Sequence, residues 1–228
     1  NNIENANIKE DYYLIIPEST ATQQELEEFS KVPQWIARGA KQGTPVTFNT
    51  PDGPLIVYKM LIKSNFKKGR TNSRGEKIKP QGSVIHGTAG FDEGAMHLFD
   101  EGDTPHYVVF SDGTIWQLVE DEDTAYHAWS LANYAFIGIE LVLADDVSKV
   151  AQYGADALAD MTLAQEVAGV ALVKSLMQKH GFSSDDVIPH EDVSLLLQGD
   201  HVDPTEDNMA RILSGIGVTQ RSDAHAER

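Results

Sequence analysis

The stretch that decides the fold is Phe136-Ile137-Gly138-Ile139-Glu140-Leu141-Val142-Leu143. It is apolar at almost every position rather than at alternate positions. Strands with this pattern are buried on both faces of their sheet. We therefore expect a central strand over residues 136–143, with the carboxylate of Glu140 toward its end.

The sequence before this strand supplies its neighbours. Residues 83–86 form a short apolar run that ends in a polar residue, His86. Residues 106–110 and 114–119 are rich in β-branched and aromatic side chains, and they flank Ser111-Asp112-Gly113. Asp-Gly between two such runs predicts a β-hairpin.

Helical signals follow the central strand. Residues 162–180 carry apolar residues at helical spacing, Thr162 and Gln165 form a capping-box pattern, and Gly181 follows as a stop signal. A second helix is expected after Pro204, reaching residue 213, and a short one at 92–99. Strands that alternate with helices predict a mixed α/β domain.

The first eighty residues have a different character. Residues 22–40 suggest a helix interrupted at Pro33, and residues 54–62 read as a strand. We expect residues 1–80 to be an N-terminal extension of helix plus strand packed on the core. Residues 81–215 would then be the main domain, and residues 216–228 a polar tail.

A cationic island lies within that extension. Its members are Lys59, Lys63, Lys67, Lys68, Arg70, Arg74, Lys77 and Lys79. One interpretation is a solvated loop or hairpin tip, as charge runs usually are. The other is a contact with an anionic partner, and the sequence leaves both open.

Composition restricts the function. The chain has 228 residues and a formal net charge of −17, which argues against nucleic-acid binding and against docking on anionic membranes. Without a run of 18 or more apolar residues, we expect no membrane insertion. The N-terminal residues do not resemble a signal peptide, so one either never existed or was removed. With no cysteine, any zinc site must use histidine and carboxylate ligands.

Histidine and carboxylate residues suitable for such a site occur at three places. His86 follows a strand, His190 lies in a predicted loop after the long helix, and His201 and Asp203 come shortly afterwards. Two histidines and a carboxylate with one open position form a recurrent catalytic zinc set. The spacing alone does not select these residues from the eight histidines of the chain.

Several ordered blocks between residues 80 and 215 resemble the type 2 N-acetylmuramoyl-L-alanine amidases, which include phage lysozyme-type amidases and peptidoglycan recognition proteins. The blocks are Ser83–Gly90, His106–Val109 with Asp112–Ile115, Ala125–Trp129, Ile137–Leu141, His190–Val193 and His201–Pro204. The resemblance implies a mixed α/β fold in which a central, mainly β-sheet is flanked by helices. It also implies a zinc site in a groove at the edge of the sheet.

The resemblance further implies a role for individual residues. His86, His190 and Asp203 would be the zinc ligands, and Glu140 would assist the attacking water. His201 replaces the family's usual Lys, and it would stabilise the oxyanion. The usual Pro-Gly-Arg-Lys approach to the third ligand is also absent, with residues 194–200 standing in its place.

Each of these residues also has a simpler interpretation. His86 and His190 could be structural histidines, and Glu140 a buried, hydrogen-bonded carboxylate. Asp203 could be a carboxylate at a helix N-terminus. His201 could be a hydrogen-bond partner of one of the ligands, or itself a competing ligand.

The remaining histidines divide into two groups. His127, with Tyr126 and Trp129, is expected to line the substrate groove or else to pack as an aromatic cluster, and Thr88 is a further expected substrate contact. His106 is expected to be structural. His97 and His180 are expected to have no functional role, and His225 is a residue of the tail.

The resemblance implies zinc-dependent hydrolysis of the amide between N-acetylmuramic acid and L-alanine, with one Zn²⁺ per chain. The substrate would be peptidoglycan or a muropeptide, the location extracellular or periplasmic, and the protein a monomer. Two alternatives remain open. One is a non-catalytic muropeptide-binding module of the same fold, and the other is an unrelated α/β protein with chance motif matches.

Overall fold

The computed structural model describes residues 43–62, 65–89, 104–143, 160–196 and 203–218, and these form a mixed α/β unit. The strands are β1 (Thr44–Thr50), β2 (Gly53–Lys59), β3 (Phe66–Lys67), β4 (Gly82–Ala89), β5 (Tyr107–Val109), β6 (Ile115–Gln117), β7 (Thr124–Ala125), β8 (Phe136–Leu143) and β9 (Val187–Pro189). The α-helices are α1 (Ser130–Ala135), α2 (Leu163–His180), α3 (His190–Leu196) and α4 (Glu206–Gly215).

A seven-stranded sheet organises the structure, in the order β1-β2-β6-β5-β8-β4-β9. β8 pairs in parallel with β5 on one side and with β4 on the other, which confirms the predicted central strand. β4 in turn pairs in parallel with β9, while β1–β2 and β5–β6 are antiparallel pairs. β3 and β7 form a separate two-stranded ribbon.

The two faces of β8 have different partners. Ile137, Ile139 and Leu141 are fully buried in a core that also contains Leu172 of α2 and Ile212 of α4. Burial of side chains of this size contributes about 1.5–3 kcal/mol each. The alternate positions of β8, which include Gly138 and Glu140, point to the opposite face of the sheet. That second face carries the polar side chains described below.

The hairpin and the long helix have the predicted end signals. Gly113 closes the β5–β6 turn with a φ of 84°, and a Cβ there would lie only 2.8 Å from the carbonyl oxygen of Ala164. Thr162 and Gln165 form the capping box of α2 in both directions. Gly181 ends the helix in the left-handed conformation, and its N–H donates to Met177.

Some predicted element boundaries differ from those in the structure, and other predicted elements lie outside the described residues. β4 does not end at His86 but continues to Ala89, because its pairing with β8 extends as far as Leu143. The strand expected at 54–62 is β2, and its backbone hydrogen bonding continues beyond the strand through the N–H groups of Met60 and Ile62. The helices expected at 22–40 and 92–99 and the tail from residue 219 lie outside the described residues.

The helices in the described part of the chain are too short or too polar to cross a membrane.

Candidate metal centre

Three side chains that are distant in sequence converge on the second face of the sheet. His86, His190 and Asp203 each offer a ligand atom, and these atoms lie within 4.8 Å of one another. Nδ1 of His190 lies 2.9 Å from Oδ1 of Asp203, and Nδ1 of His86 lies 3.8 Å from Oδ2. Tetrahedral zinc with bonds of about 2.0–2.1 Å separates its ligand atoms by roughly 3.3 Å. The three residues could therefore hold a metal ion, and their nitrogen and oxygen donors are types that zinc accepts.

The parallel pairing of β4 with β9 brings the two histidines together. Ile85 is opposite Pro189, so His86 in β4 and His190 directly after β9 lie at the same level. Their ring centroids are 4.4 Å apart. His190 is the first residue of α3 and not a loop residue as predicted, because the chain turns into a helix directly after β9.

Backbone groups hold Asp203 in place. The N–H of Gly87 donates to Oδ2 of Asp203 at 3.1 Å, and the N–H of Glu191 donates to its carbonyl oxygen at 3.2 Å. The N-cap of α4 is Thr205, whose side chain accepts from the N–H of Asn208. The carboxylate of Asp203 therefore faces the two histidines, and the helix cap is provided by another residue.

Glu140 lies beside the histidines on the same face. His86 of β4 and Glu140 of β8 are directly opposite in register, so their side chains leave the sheet side by side. The hydroxyl of Thr88 donates a hydrogen bond to Oε1 of Glu140. Glu140 is 9% exposed and stands in the middle of β8, not at its end as predicted. The structure therefore provides a largely buried carboxylate next to the candidate ligands.

His127 lies behind His86 rather than on the surface. Nδ1 of His127 is 2.9 Å from Nε2 of His86, and Nε2 of His127 faces the carbonyl oxygen of Phe136 at 3.4 Å. The ring covers Gly138, where a Cβ would lie 2.3 Å from Cγ of His127. Burial lowers the pKa of His127 to about 3, against the opposing effect of the Phe136 carbonyl, and the charges of Arg70 and His190 lower it further.

The residues beside His127 are exposed. Tyr126 is 38% and Trp129 is 62% exposed, and Trp129 immediately precedes α1. The three residues that the sequence analysis grouped together therefore divide into one buried ring and two exposed ones.

A buried network that the sequence analysis missed supports this layer from behind. Arg70 is 1% exposed and donates to the carbonyl oxygens of Asp121, Asn133, Tyr134 and Phe136. It also contacts His106, whose Nδ1 accepts the N–H of Gly138. Burial lowers the pKa of His106 well below its usual value, and the charge of Arg70 lowers it further. His106 is thus structural, as predicted.

Asp121 anchors the other end of the network. It accepts hydrogen bonds from His180, Lys179 and the hydroxyl of Tyr107. Burial favours the protonated carboxyl, but these hydrogen bonds outweigh it and hold the pKa of Asp121 well below its usual range. His180 therefore has a structural partner that the sequence did not indicate.

The cationic island does not act as a unit. Arg70 is buried, which neither interpretation of the island foresaw. Lys59 pairs with Glu120 at 2.7 Å and Lys68 with Asp123 at 2.8 Å. A basic residue in a polar stretch carries no sequence signal for burial. His97, His201 and His225 lie outside the described residues.

Comparisons with known proteins identify proteins that this chain is similar to. The family model described as N-acetylmuramoyl-L-alanine amidase matches residues 76–206, more than half of the 228-residue chain. No curated protein matches the sequence at a significant level.

Solved structures give the same fold. A mutant endolysin from Bacillus subtilis is 20% identical with a TM-score of 0.52, and the match covers 72% of this chain and 99% of the endolysin. AmpDh3 from Pseudomonas aeruginosa, in complex with an anhydromuramic pentapeptide, is 25% identical with a TM-score of 0.51, and the match covers 70% of this chain and 67% of AmpDh3. AmiD from E. coli, in complex with anhydro-N-acetylmuramic acid-L-Ala-D-gamma-Glu-L-Lys, is 24% identical with a TM-score of 0.50. That match covers 71% of this chain and 73% of AmiD.

Proposed function

The chain belongs to the N-acetylmuramoyl-L-alanine amidase family, and we propose that it hydrolyses the amide bond between N-acetylmuramic acid and L-alanine in peptidoglycan. We propose further that the reaction uses one zinc ion held by His86, His190 and Asp203. The observation that carries the proposal is the convergence of these three side chains beside a largely buried carboxylate. Two imidazoles and one carboxylate leave a fourth coordination position open for water or substrate.

The chemistry of an amide explains why such a site is needed. An amide is a weak electrophile and neutral water is a weak nucleophile. When bound, the metal supplies Lewis-acid polarisation of the scissile carbonyl and makes water acidic enough to ionise near neutral pH. The remaining requirements would then be a group that accepts the proton of water, a group that delivers a proton to the leaving amine, and contacts that orient the substrate.

Glu140 is suited to move the proton. Its register beside His86 supports this role, because the carboxylate would then lie near the open position, accept a proton from water and later deliver it to the leaving amine. The hydrogen bond from Thr88 orients that carboxylate. Thr88 therefore supports Glu140, and its expected contact with substrate remains a prediction.

Exposed aromatic residues are suited to hold the substrate. Tyr126 and Trp129 present apolar surface with a polar tip beside His127, which is the kind of side chain that binding surfaces favour. We propose that they contact the muropeptide. His201 remains proposed as the group that stabilises the oxyanion, on the basis of its position in the sequence. Activity on peptidoglycan would place the protein outside the cell or in the periplasm.

The complete set of three ligands favours catalysis over simple binding. A module that recognises muropeptides without cleaving them needs shape and hydrogen bonds but no metal with an open position. Here the ligands, the adjacent carboxylate and the residue that orients it occur together. We therefore rank the binding module as the second candidate.

The test is digestion of purified peptidoglycan with mass analysis of the products. We expect release of peptides that begin with L-alanine, together with glycan strands on which hydrolysis has freed the lactyl carboxylates. A chelator should stop the reaction, and added zinc should restore it. His190→Ala is the matched variant, since it removes one ligand. Unchanged peptidoglycan in the presence of a zinc-loaded protein would favour the binding module, and products of glycan cleavage would contradict the proposal.

A further inference from the structure

The buried ring of His127 has no direct role in the chemistry described above. It is enclosed between Gly138 of β8 and His86 of β4, with the rings of His86 and His127 perpendicular and their centroids 5.1 Å apart. His127 is 7% exposed. The ring is therefore largely shielded from solvent and lies in direct contact with a candidate metal ligand, His86.

The direction of its hydrogen bonds follows from the one fixed partner. The carbonyl oxygen of Phe136 can only accept, so Nε2 of His127 must carry a proton to donate to it. A neutral imidazole has one N–H, so Nδ1 of His127 is left with its lone pair. That lone pair, 2.9 Å from Nε2 of His86, must accept a hydrogen bond from the Nε2–H of His86.

The same rule then applies to His86. If Nε2 of His86 donates to His127, then Nδ1 of His86 carries the lone pair. Nδ1 is the atom that faces Asp203, at 3.8 Å. A histidine binds a metal through an unprotonated ring nitrogen, and its tautomer is set by the hydrogen bond of the other nitrogen.

We infer that His127 is a positioning residue for the metal site, which fixes His86 as the Nε2–H tautomer and so leaves Nδ1 available as a ligand before any metal binds. The relay runs from the Phe136 carbonyl through His127 to His86. The inference rests on the proposed zinc site. It gives His127 a role different from the expected contact with substrate.

Gly138 is the residue that makes the relay fit. Any side chain at this position would overlap the ring, since a Cβ would lie 2.6 Å from Nδ1 of His127. A glycine inside an otherwise apolar strand marks the close approach of another group. The N–H of Gly138 is itself held by His106, so the backbone beneath the ring is also fixed.

The first experiment records long-range ¹H–¹⁵N correlations of the histidine rings in the metal-free protein. We expect His86 and His127 each to be a single Nε2–H tautomer. A predominant Nδ1–H tautomer at His86 would overturn the inference. Because no metal is present, this result is independent of whether the protein cleaves peptidoglycan.

The second experiment compares the zinc affinity of two nearly isosteric variants by competition with a chelator. In His127→Asn the side-chain oxygen can replace Nδ1 as acceptor, whereas His127→Leu offers no acceptor. We expect His127→Leu to lose about 10- to 100-fold in zinc affinity and His127→Asn to stay close to the wild type. His180→Asn, which changes a partly buried histidine bonded to Asp121, is the control and should leave zinc affinity unchanged.

The outcomes separate the two proposals. Equal zinc affinity for the Asn and Leu variants would mean that His127 only fills space. A wild-type protein that binds zinc and shows the relay, but leaves peptidoglycan intact, would remove the proposed function and keep the positioning role. If His127→Leu does not fold, the tautomer measurement on the wild type still decides the question.

Discussion

Substitution of Gly138 by alanine tests whether the sheet and the His127 ring are packed as closely as the structure indicates. The added Cβ would lie 2.3 Å from Cγ, 2.6 Å from Nδ1 and 2.7 Å from Cδ2 of His127. Carbon atoms in contact are separated by about 3.5–4.0 Å, so the ring must move by roughly 1 Å. The overlap involves a ring held between two strands and not the tip of a flexible side chain.

The expected loss of folding stability can be estimated from this overlap. Overpacking of a well-packed site costs about 1–3 kcal/mol. In a protein of this size each kcal/mol lowers the melting temperature by about 2–4 °C, so a fall of about 2–12 °C is expected. The ring displacement should also break the 2.9 Å contact between His127 and His86 and weaken zinc binding.

The assay combines thermal unfolding with a zinc competition titration. Gly169→Ala is the matched control, because its Cβ would lie 3.1 Å from Cδ1 of Ile212 and 3.7 Å from Cδ2 of Leu141, both side-chain ends on the far side of the sheet. In the middle of α2, alanine is favoured over glycine by about 0.5–1 kcal/mol, which offsets that contact. If Gly138→Ala were as stable as Gly169→Ala and bound zinc like the wild type, the packing argument would be refuted.

Two further predictions concern the network behind the site. Asp121→Asn should lower the free energy of unfolding in urea by on the order of 3 kcal/mol at pH 7, because Lys179 and His180 lose a buried partner. A carboxyl whose pKa is lowered on folding, as that of Asp121 is, stabilises the folded protein above its unfolded pKa of about 3.9, and this stabilisation is lost as the pH falls further. The difference in free energy of unfolding between Asp121→Asn and the wild type should therefore shrink below about pH 4. A difference that stays constant with pH would be contrary evidence. Arg70→Lys should lower the free energy of unfolding by about 2 kcal/mol or more, since one ammonium group cannot reach all the carbonyl oxygens to which the guanidinium donates. Urea unfolding indistinguishable from that of the wild type would show that these contacts are dispensable.

Local sequence patterns predicted the elements that depend on local chemistry. The central strand β8, the β5–β6 hairpin and the caps of α2 were all predicted from residues close together in sequence. Each depends on apolar burial, turn geometry or capping, which leave a recognisable pattern. The boundaries of β4 were harder to predict, because its last residues are held by pairing with a distant strand.

The site could be predicted only through the resemblance to a family. The spacing of His86, His190 and Asp203 does not distinguish them from other histidines and carboxylates, and their convergence depends on the parallel pairing of β4 with β9. The buried states of Arg70 and His127 could not be predicted, because desolvation depends on the whole fold. Gly138 was the one local clue, as a glycine inside an apolar strand.

Elemental analysis of the purified protein tests the metal site most directly. We expect one zinc per chain in the wild type and a large loss in Asp203→Ala, with the fold of both confirmed by circular dichroism. Absence of stoichiometric zinc from the wild type after zinc loading, or equal zinc in the two proteins, would contradict the account.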